Sequence, residues 1–176
     1  KCQYKVFALD IHMGDDSFIS DRVLAIQADI TDREKLKHIA DTSLINDSGL
    51  DVLVCAAGLY RSFPVTEEDP AHFNKMMDVN MMGTVNLINT FLRPLIKNKG
   101  KVIVVSSESY KIQALFQPYM ISKAALESYC LSARQELALK GVSLTVIRPG
   151  AIGTPLLDWM KSEPEKGKYP IFDIEY

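Results

Sequence analysis

A chain of 176 residues, 47% of them hydrophobic, is long enough for one domain that buries roughly 70% of the surface its unfolded form would expose. Its 20 basic and 22 acidic side chains give a formal net charge of -2 with no long block of either sign, so it carries no footprint of a nucleic-acid or membrane-surface binder. Cys2, Cys55 and Cys130 form neither a disulfide framework nor a metal-ligand spacing, His12, His38 and His72 stand apart, and no run approaches the roughly 20 apolar residues of a membrane span. A reduced, cytoplasmic protein without a metal site is the expectation.

Short Val- and Ile-rich runs alternate with segments of helical period, the rhythm of a parallel sheet covered by helices on both faces. Tyr4 to Leu9 reads as a strand closing on Asp10, and Val23 to Gln27 as a second closing on Asp29. Thr31 and Glu34 then have the spacing of a capping box that starts a helix. Leu50 to Cys55 is a third strand running into Ala56-Ala57-Gly58. The next helix is expected to begin between Thr66 and Pro70, to carry Phe73, Met76, Met77, Val79, Val85, Ile88 and Leu92, and to end before Pro94 or Gly100. Lys101 to Val105 is a fourth strand ending in Ser106-Ser107. Tyr119 to Lys140 is a long helix stopped by Gly141, and Val142 to Ile147 a fifth strand that breaks at Pro149-Gly150. Five strands with helical crossovers predict an open doubly wound sheet, whose ligands sit at the carboxyl ends of the strands.

The residues at those ends carry the chemistry. Tyr119 and Lys123 are four apart at a helix start, so both rise from one face. Taken singly they are an ordinary helix-surface pair, Ser107 is a strand-end turn residue, and Asn80 is a poor helix former that needs a reason to lie mid-helix. Together, in the order Asn80, Ser107, Tyr119, Lys123, they resemble the catalytic tetrad of the short-chain dehydrogenase/reductase family. The likeness extends to Cys55-Ala56-Ala57-Gly58, similar to the family's Asn-Asn-Ala-Gly stretch, and to Arg148-Pro149-Gly150 and Thr154. It runs from Tyr4 to about Leu157. The resemblance implies a three-layer Rossmann-like α/β fold, with residues 1–176 forming a single NAD(P)-binding domain.

Moving a hydride between a carbinol carbon and a nicotinamide requires a proton to leave or join the alcohol oxygen, and a phenol with a pKa near 10 is a poor base at neutral pH. Lys123, as a neighbouring cation, is expected to lower the pKa of Tyr119, and Ser107 to hold the substrate oxygen. Ser106, one residue away, is the alternative for that role. By resemblance, Lys123 also grips the nicotinamide ribose, and Asn80 helps hold a water that links Lys123 to solvent.

A carboxylate at Asp10 suits an adenosine ribose and repels a 2'-phosphate, pointing to NAD over NADP, unless it is simply a solvated strand-end residue. Asp29, followed by Ile30, resembles the position that meets the adenine amino group; a helix-start turn residue is the other reading. Ala56, Ala57 and Gly58 lack bulk where backbone passes beside the cofactor. Pro149, Gly150, Ile152 and Thr154 resemble the turn that holds the carboxamide, and Thr154 before Pro155 also fits a helix cap. The Met pairs read as packing and Cys55 as a small buried apolar residue.

The family's Gly-rich turn is not found ahead of Tyr4 to Leu9, and the phosphate-cradling element and first strand go with it. A longer natural protein, or a product that binds dinucleotide poorly, would each explain this. The C-terminus raises the same question, and internal omissions in loops would fall at Gly14 to Ser17 or near Lys161 to Lys168. The function expected is an NAD-dependent alcohol dehydrogenase or ketone reductase. Tyr60, Phe63, Leu115, Phe116, Leu157 and Trp159 suit an apolar substrate. The alternative is a non-catalytic dinucleotide-sensing or scaffold protein on the same fold. A homodimer or homotetramer is expected from the resemblance, with Phe73 to Leu92 and Tyr119 to Lys140 as contact faces.

Overall fold

The computed structural model describes residues 4–12, 20–42, 45, 47–60, 69–108, 118–150 and 152. In chain order the elements are strands β1 (Val6–Asp10) and β2 (Val23–Gln27), helix α1 (Arg33–Ala40), strand β3 (Val52–Cys55), helix α2 (Pro70–Met77), a π-helical turn (Asp78–Gly83), helix α3 (Thr84–Asn98), strand β4 (Lys101–Val105), helix α4 (Pro118–Leu139) and strand β5 (Ser143–Ile147). Every strand pairing is parallel: Val6 faces Val23, Val52 faces Lys101, and Lys101 faces Ser143.

The strands form two sheets, β1-β2 and β3-β4-β5, rather than one continuous sheet of five. Among the described residues no named strand pairs with the edge of β1 away from β2 or with the edge of β3 away from β4. α3 packs on β3 and β4, α4 on β5, and α1 against α3, so the described helices make one layer. Its core joins Leu36, Ile88, Leu95, Val102, Val104, Leu126 and Val142, each such aliphatic contributing about 1.5–3 kcal/mol by leaving water. The opposite face of the strands keeps Val52 and Val54 exposed.

Local chemistry explains most element ends. The cap of α1 is Asp32, whose carboxylate accepts the Lys35 N–H at 2.9 Å; the Thr31–Glu34 capping box does not form, because the Thr31 amide and hydroxyl are both donated to Asp29. Asp69 caps α2 through the His72 N–H, with Pro70 in the first turn, where its missing N–H costs nothing. α3 runs through Pro94 and stops at Lys99, in the left-handed region at φ 49°, so the later of the two expected stops is the real one. The Pro94 carbonyl accepts the Leu50 N–H at 3.0 Å, tying the helix to the approach to β3.

Candidate active site

β4 and β5 deliver the floor of the site. Past their last residues the two strands stay joined, the Ser106 N–H donating to Ile147 at 2.8 Å and the Glu108 N–H to Pro149 at 3.1 Å. Ser106 and Ser107 are buried at this end. The Ser107 hydroxyl is hydrogen-bonded to the Tyr119 side chain, whereas the buried Ser106 Oγ has no hydrogen-bond partner among the described residues. The geometry therefore favours Ser107 as the serine beside the tyrosine.

α4 opens on Pro118, and Tyr119 and Lys123 follow on one face. Lys123 is buried, donates from Nζ to the Val105 carbonyl at 3.0 Å, and lies 5.7 Å from the centre of the Tyr119 ring. Burial holds its pKa down to about 8, with the Glu127 charge pushing the other way. The Tyr119 phenol is displaced upward, not downward as the sequence suggested: burial is the main cause, the Ser107 hydrogen bond opposes it, and Tyr60 adds to it. The physical reason is placement. The ammonium is turned to the Val105 carbonyl, and desolvation of the phenol dominates. Tyr60 meets Tyr119 edge to face, with centroids 5.1 Å apart and planes at 61°.

Asn80 sits within the π-helical turn and is fully buried. Its Oδ1 accepts the Leu59 N–H at 2.7 Å, and its Nδ2 donates to the Leu59 carbonyl at 2.8 Å and to Ser122 Oγ at 2.9 Å. Ser122 in turn donates to the Tyr119 carbonyl at 2.7 Å. One amide thus clamps the peptide next to Tyr60 and, through Ser122, the first turn of the helix bearing Tyr119. π-turns of this kind are often found at functional sites. Gly83 closes the turn where a Cβ would come within 2.4 Å of Ile30 Cδ1, so a larger residue there would push the Ile30 side chain aside.

Sequence reasoning passed over Ser122, Glu127 and the partner of Arg148. Arg148 donates to Glu127 through Nε (2.9 Å to Oε1) and Nη2 (2.6 Å to Oε2), and Glu127 is buried. A buried acid four residues beyond Lys123 is the only signal the sequence offered. Burial pushes the Cys55 thiol up to about 12 and the Cys130 thiol up to about 11, which fits inert packing residues.

The other expected residues lie at the remaining strand ends. The Asp10 carboxylate accepts the His12 N–H at 2.9 Å and is exposed. Asp29 Oδ1 takes the Thr31 N–H and hydroxyl at 2.8 and 2.7 Å, bonds that hold its carboxyl below the usual range. Asp29 is therefore a turn residue in this arrangement, whatever else it meets. The Ile30 side chain is buried and its carbonyl accepts from Asn86 Nδ2 at 3.2 Å. Ala56, Ala57 and Gly58 are exposed at the end of β3, as are Gly150 and Ile152 beyond β5, with Pro149 half-buried. Thr154, Phe63, Leu115, Phe116, Leu157 and Trp159 lie outside the described residues.

The donor set fits a nicotinamide nucleotide. A Cβ at Gly58 would stand 3.3 Å from Asn80 Oδ1 and 3.7 Å from Lys123 Nζ, so the exposed glycine at the strand end passes close beside the buried lysine and amide. Lys123 and Tyr119 can meet a ribose and a reacting oxygen there, and the Asp10 carboxylate can take ribose hydroxyls at the end of β1.

Residues 9–165 match the family model described as short chain dehydrogenase. An uncharacterized oxidoreductase of Staphylococcus saprophyticus is 34% identical over 136 residues, covering 74% of this chain and 58% of that protein. Mouse estradiol 17-beta-dehydrogenase 2 is 34% identical over 155 residues, covering 83% of this chain and 40% of that protein. Among solved structures, a Burkholderia cenocepacia short chain dehydrogenase in complex with NADP superposes with a TM-score of 0.78 at 32% identity, over 86% of this chain and 63% of that one. A Leptospira borgpetersenii short chain dehydrogenase with bound NAD+ gives 0.78 at 25% identity, over 85% and 62%. The chain spans less than two thirds of the length of each.

Proposed function

The chain belongs to the short chain dehydrogenase family, and on that premise we propose that it serves an oxidoreductase moving a hydride between a nicotinamide cofactor and an alcohol or ketone, with Tyr119 as general acid/base. The observation that carries the reading is the meeting of Ser107, Tyr119 and Lys123 at the end of β4. When bound, the nicotinamide supplies or accepts the hydride. Ser107 holds the substrate oxygen by its hydroxyl and stabilises charge growing there. Tyr119 takes the alcohol proton in oxidation and returns it in reduction. A phenol displaced upward by burial is a ready donor at neutral pH; for the reverse direction Lys123, cationic below a pKa of about 8, is the group that stabilises the phenolate. Lys123 also grips the ribose, and Asn80 keeps the proton path of Lys123 open to solvent.

Asp10 is assigned to the adenosine ribose, with Asp29 and Ile30 at the adenine, Ala56, Ala57 and Gly58 along the backbone passage, and Pro149, Gly150, Ile152 and Thr154 at the carboxamide. The exposed Asp10 carboxylate supports NAD over NADP, since a 2'-phosphate beside it would meet like charge. Residues 1–176 are assigned to one domain, the cytoplasm is the proposed compartment, and α2, α3 and α4 are the proposed contacts of a homodimer or homotetramer. The proposed substrate is a small to medium organic alcohol or ketone of apolar character, which the aromatic Tyr60 against Tyr119 supports.

The test is Tyr119→Phe. Turnover should fall by about 100-fold or more, while NADH fluorescence titration should still give binding, tighter than that of NADPH. Retained turnover would overturn the assignment of Tyr119, and tighter NADPH binding that of Asp10.

A further inference from the structure

Among the described residues the mechanism leaves one buried charged side chain unused. Glu127 is 4% exposed and lies one helical turn beyond Lys123, on the same face of α4. Both of its oxygens are taken by Arg148, in a fork of two parallel bonds. Arg148 is the last residue before Pro149-Gly150, the turn bonded to Glu108 just past Ser107. A buried carboxylate is costly unless paired, and a surface pair would do as much for α4 packing without the cost. Its position joins two things that the proposed reaction needs together: the lysine and the turn after β5.

We propose that Glu127 is a positioning residue, which fixes the turn at 148–150 to α4 through Arg148 and keeps Lys123 in its protonated form through its own charge. The inference rests on the reading that Lys123 serves Tyr119. Near Lys123 stand the Tyr119 ring and Glu127 on α4, Asn80 of the π-turn across the Gly58 position, and the Val105 carbonyl at the end of β4, while Tyr60 and Ser107 meet Tyr119. Around Glu127 stand Arg148 from the end of β5 and Cys130 on its own helix, with Arg134 a further turn along. Of these, Glu127 is the acid, so the charge balance at Lys123 turns on it.

The decisive measurement is the pH titration of the Lys123 side-chain resonances in isotope-labelled protein, assigned with Lys123→Met. It needs neither cofactor nor turnover, so it stands or falls apart from the reading of Tyr119. In Glu127→Gln the Lys123 midpoint should fall, by about half a pH unit or more. In Arg148→Met the unpaired Glu127 should move it the other way, upward by a similar amount. A merely structural role would loosen the packing and let water in, raising the midpoint in both variants, and that result overturns the proposal, as does no movement in either. Should Glu127→Gln not fold, Arg148→Met against Arg148→Lys decides. The proposal expects the midpoint to rise in the first and stay in the second, and a rise in both overturns it.

Discussion

The two sheets treat their polar residues in opposite ways. Near the ends of β3, β4 and β5, Asn80, Ser122, Lys123 and Glu127 are buried and joined to one another, to backbone or, for Glu127, to Arg148. At the ends of β1 and β2, Asp10 and Asp29 are exposed, and among the described residues their carboxylates accept from residues two further along the chain. The first group is a set of long-range clamps that bring α4, the π-turn and the strands to one point. The second is local turn chemistry, with carboxylates left toward solvent. The half assigned to the reaction is pre-organised by buried hydrogen bonds, whereas the half assigned to the adenosine holds its shape by short turns. In a low-dielectric setting the first arrangement is worth more and costs more when broken.

The contrast can be broken at its strongest point with Asn80→Ala. Both polar groups of the Leu59 peptide and the Ser122 hydroxyl lose a partner, so denaturant unfolding should show a loss of about 2–4 kcal/mol.

A pH experiment sharpens the same contrast. Lys123 has a pKa of about 8 folded against an ordinary 10.5, so between those values the unfolded chain binds the extra proton and stability rises with pH. The cost of the buried charge is fully present below about 8 and is relieved as pH climbs toward 10.5. Compared with Lys123→Met, the native chain should gain roughly 2–3 kcal/mol across that window, read from unfolding curves at successive pH values. A constant difference between the two proteins would show that the burial of Lys123 carries no such charge cost.

The smallest effect belongs to the exposed half. Asp32→Ala removes the cap of α1 just after β2 and should cost about 1 kcal/mol, measured by the shift of the thermal midpoint. Its being as costly as Asn80→Ala would erase the distinction between clamp and turn.

The strands were legible because Val and Ile runs have a short-range cause. Val23–Gln27 and Lys101–Val105 fall where the sequence puts them, and Tyr119 and Lys123 share a face because four-residue spacing on a helix leaves no other choice. What failed to show had a long-range cause. The π-turn at Asp78–Gly83 has no signature in its own residues; it answers to Ile30 and Leu59, which are distant in the chain. The direction of the Tyr119 pKa depends on which way the Lys123 ammonium is turned, and spacing does not carry that. Thr31 and Asp32 are both good caps, and only the capture of Thr31 by Asp29 decides between them.

The donor chain through Asn80 also has a direction, and that bears on how the protein ages. Nδ2 gives its hydrogens to Leu59 and Ser122, and Ser122 gives its own to Tyr119, so the sequence of donors cannot be run backwards. Loss of that side-chain amide to hydrolysis, the common fate of old asparagines, would put a carboxylate where two acceptors already point. The helical backbone and burial that place Asn80 are what shield it from that reaction, since the next amide cannot swing in to attack.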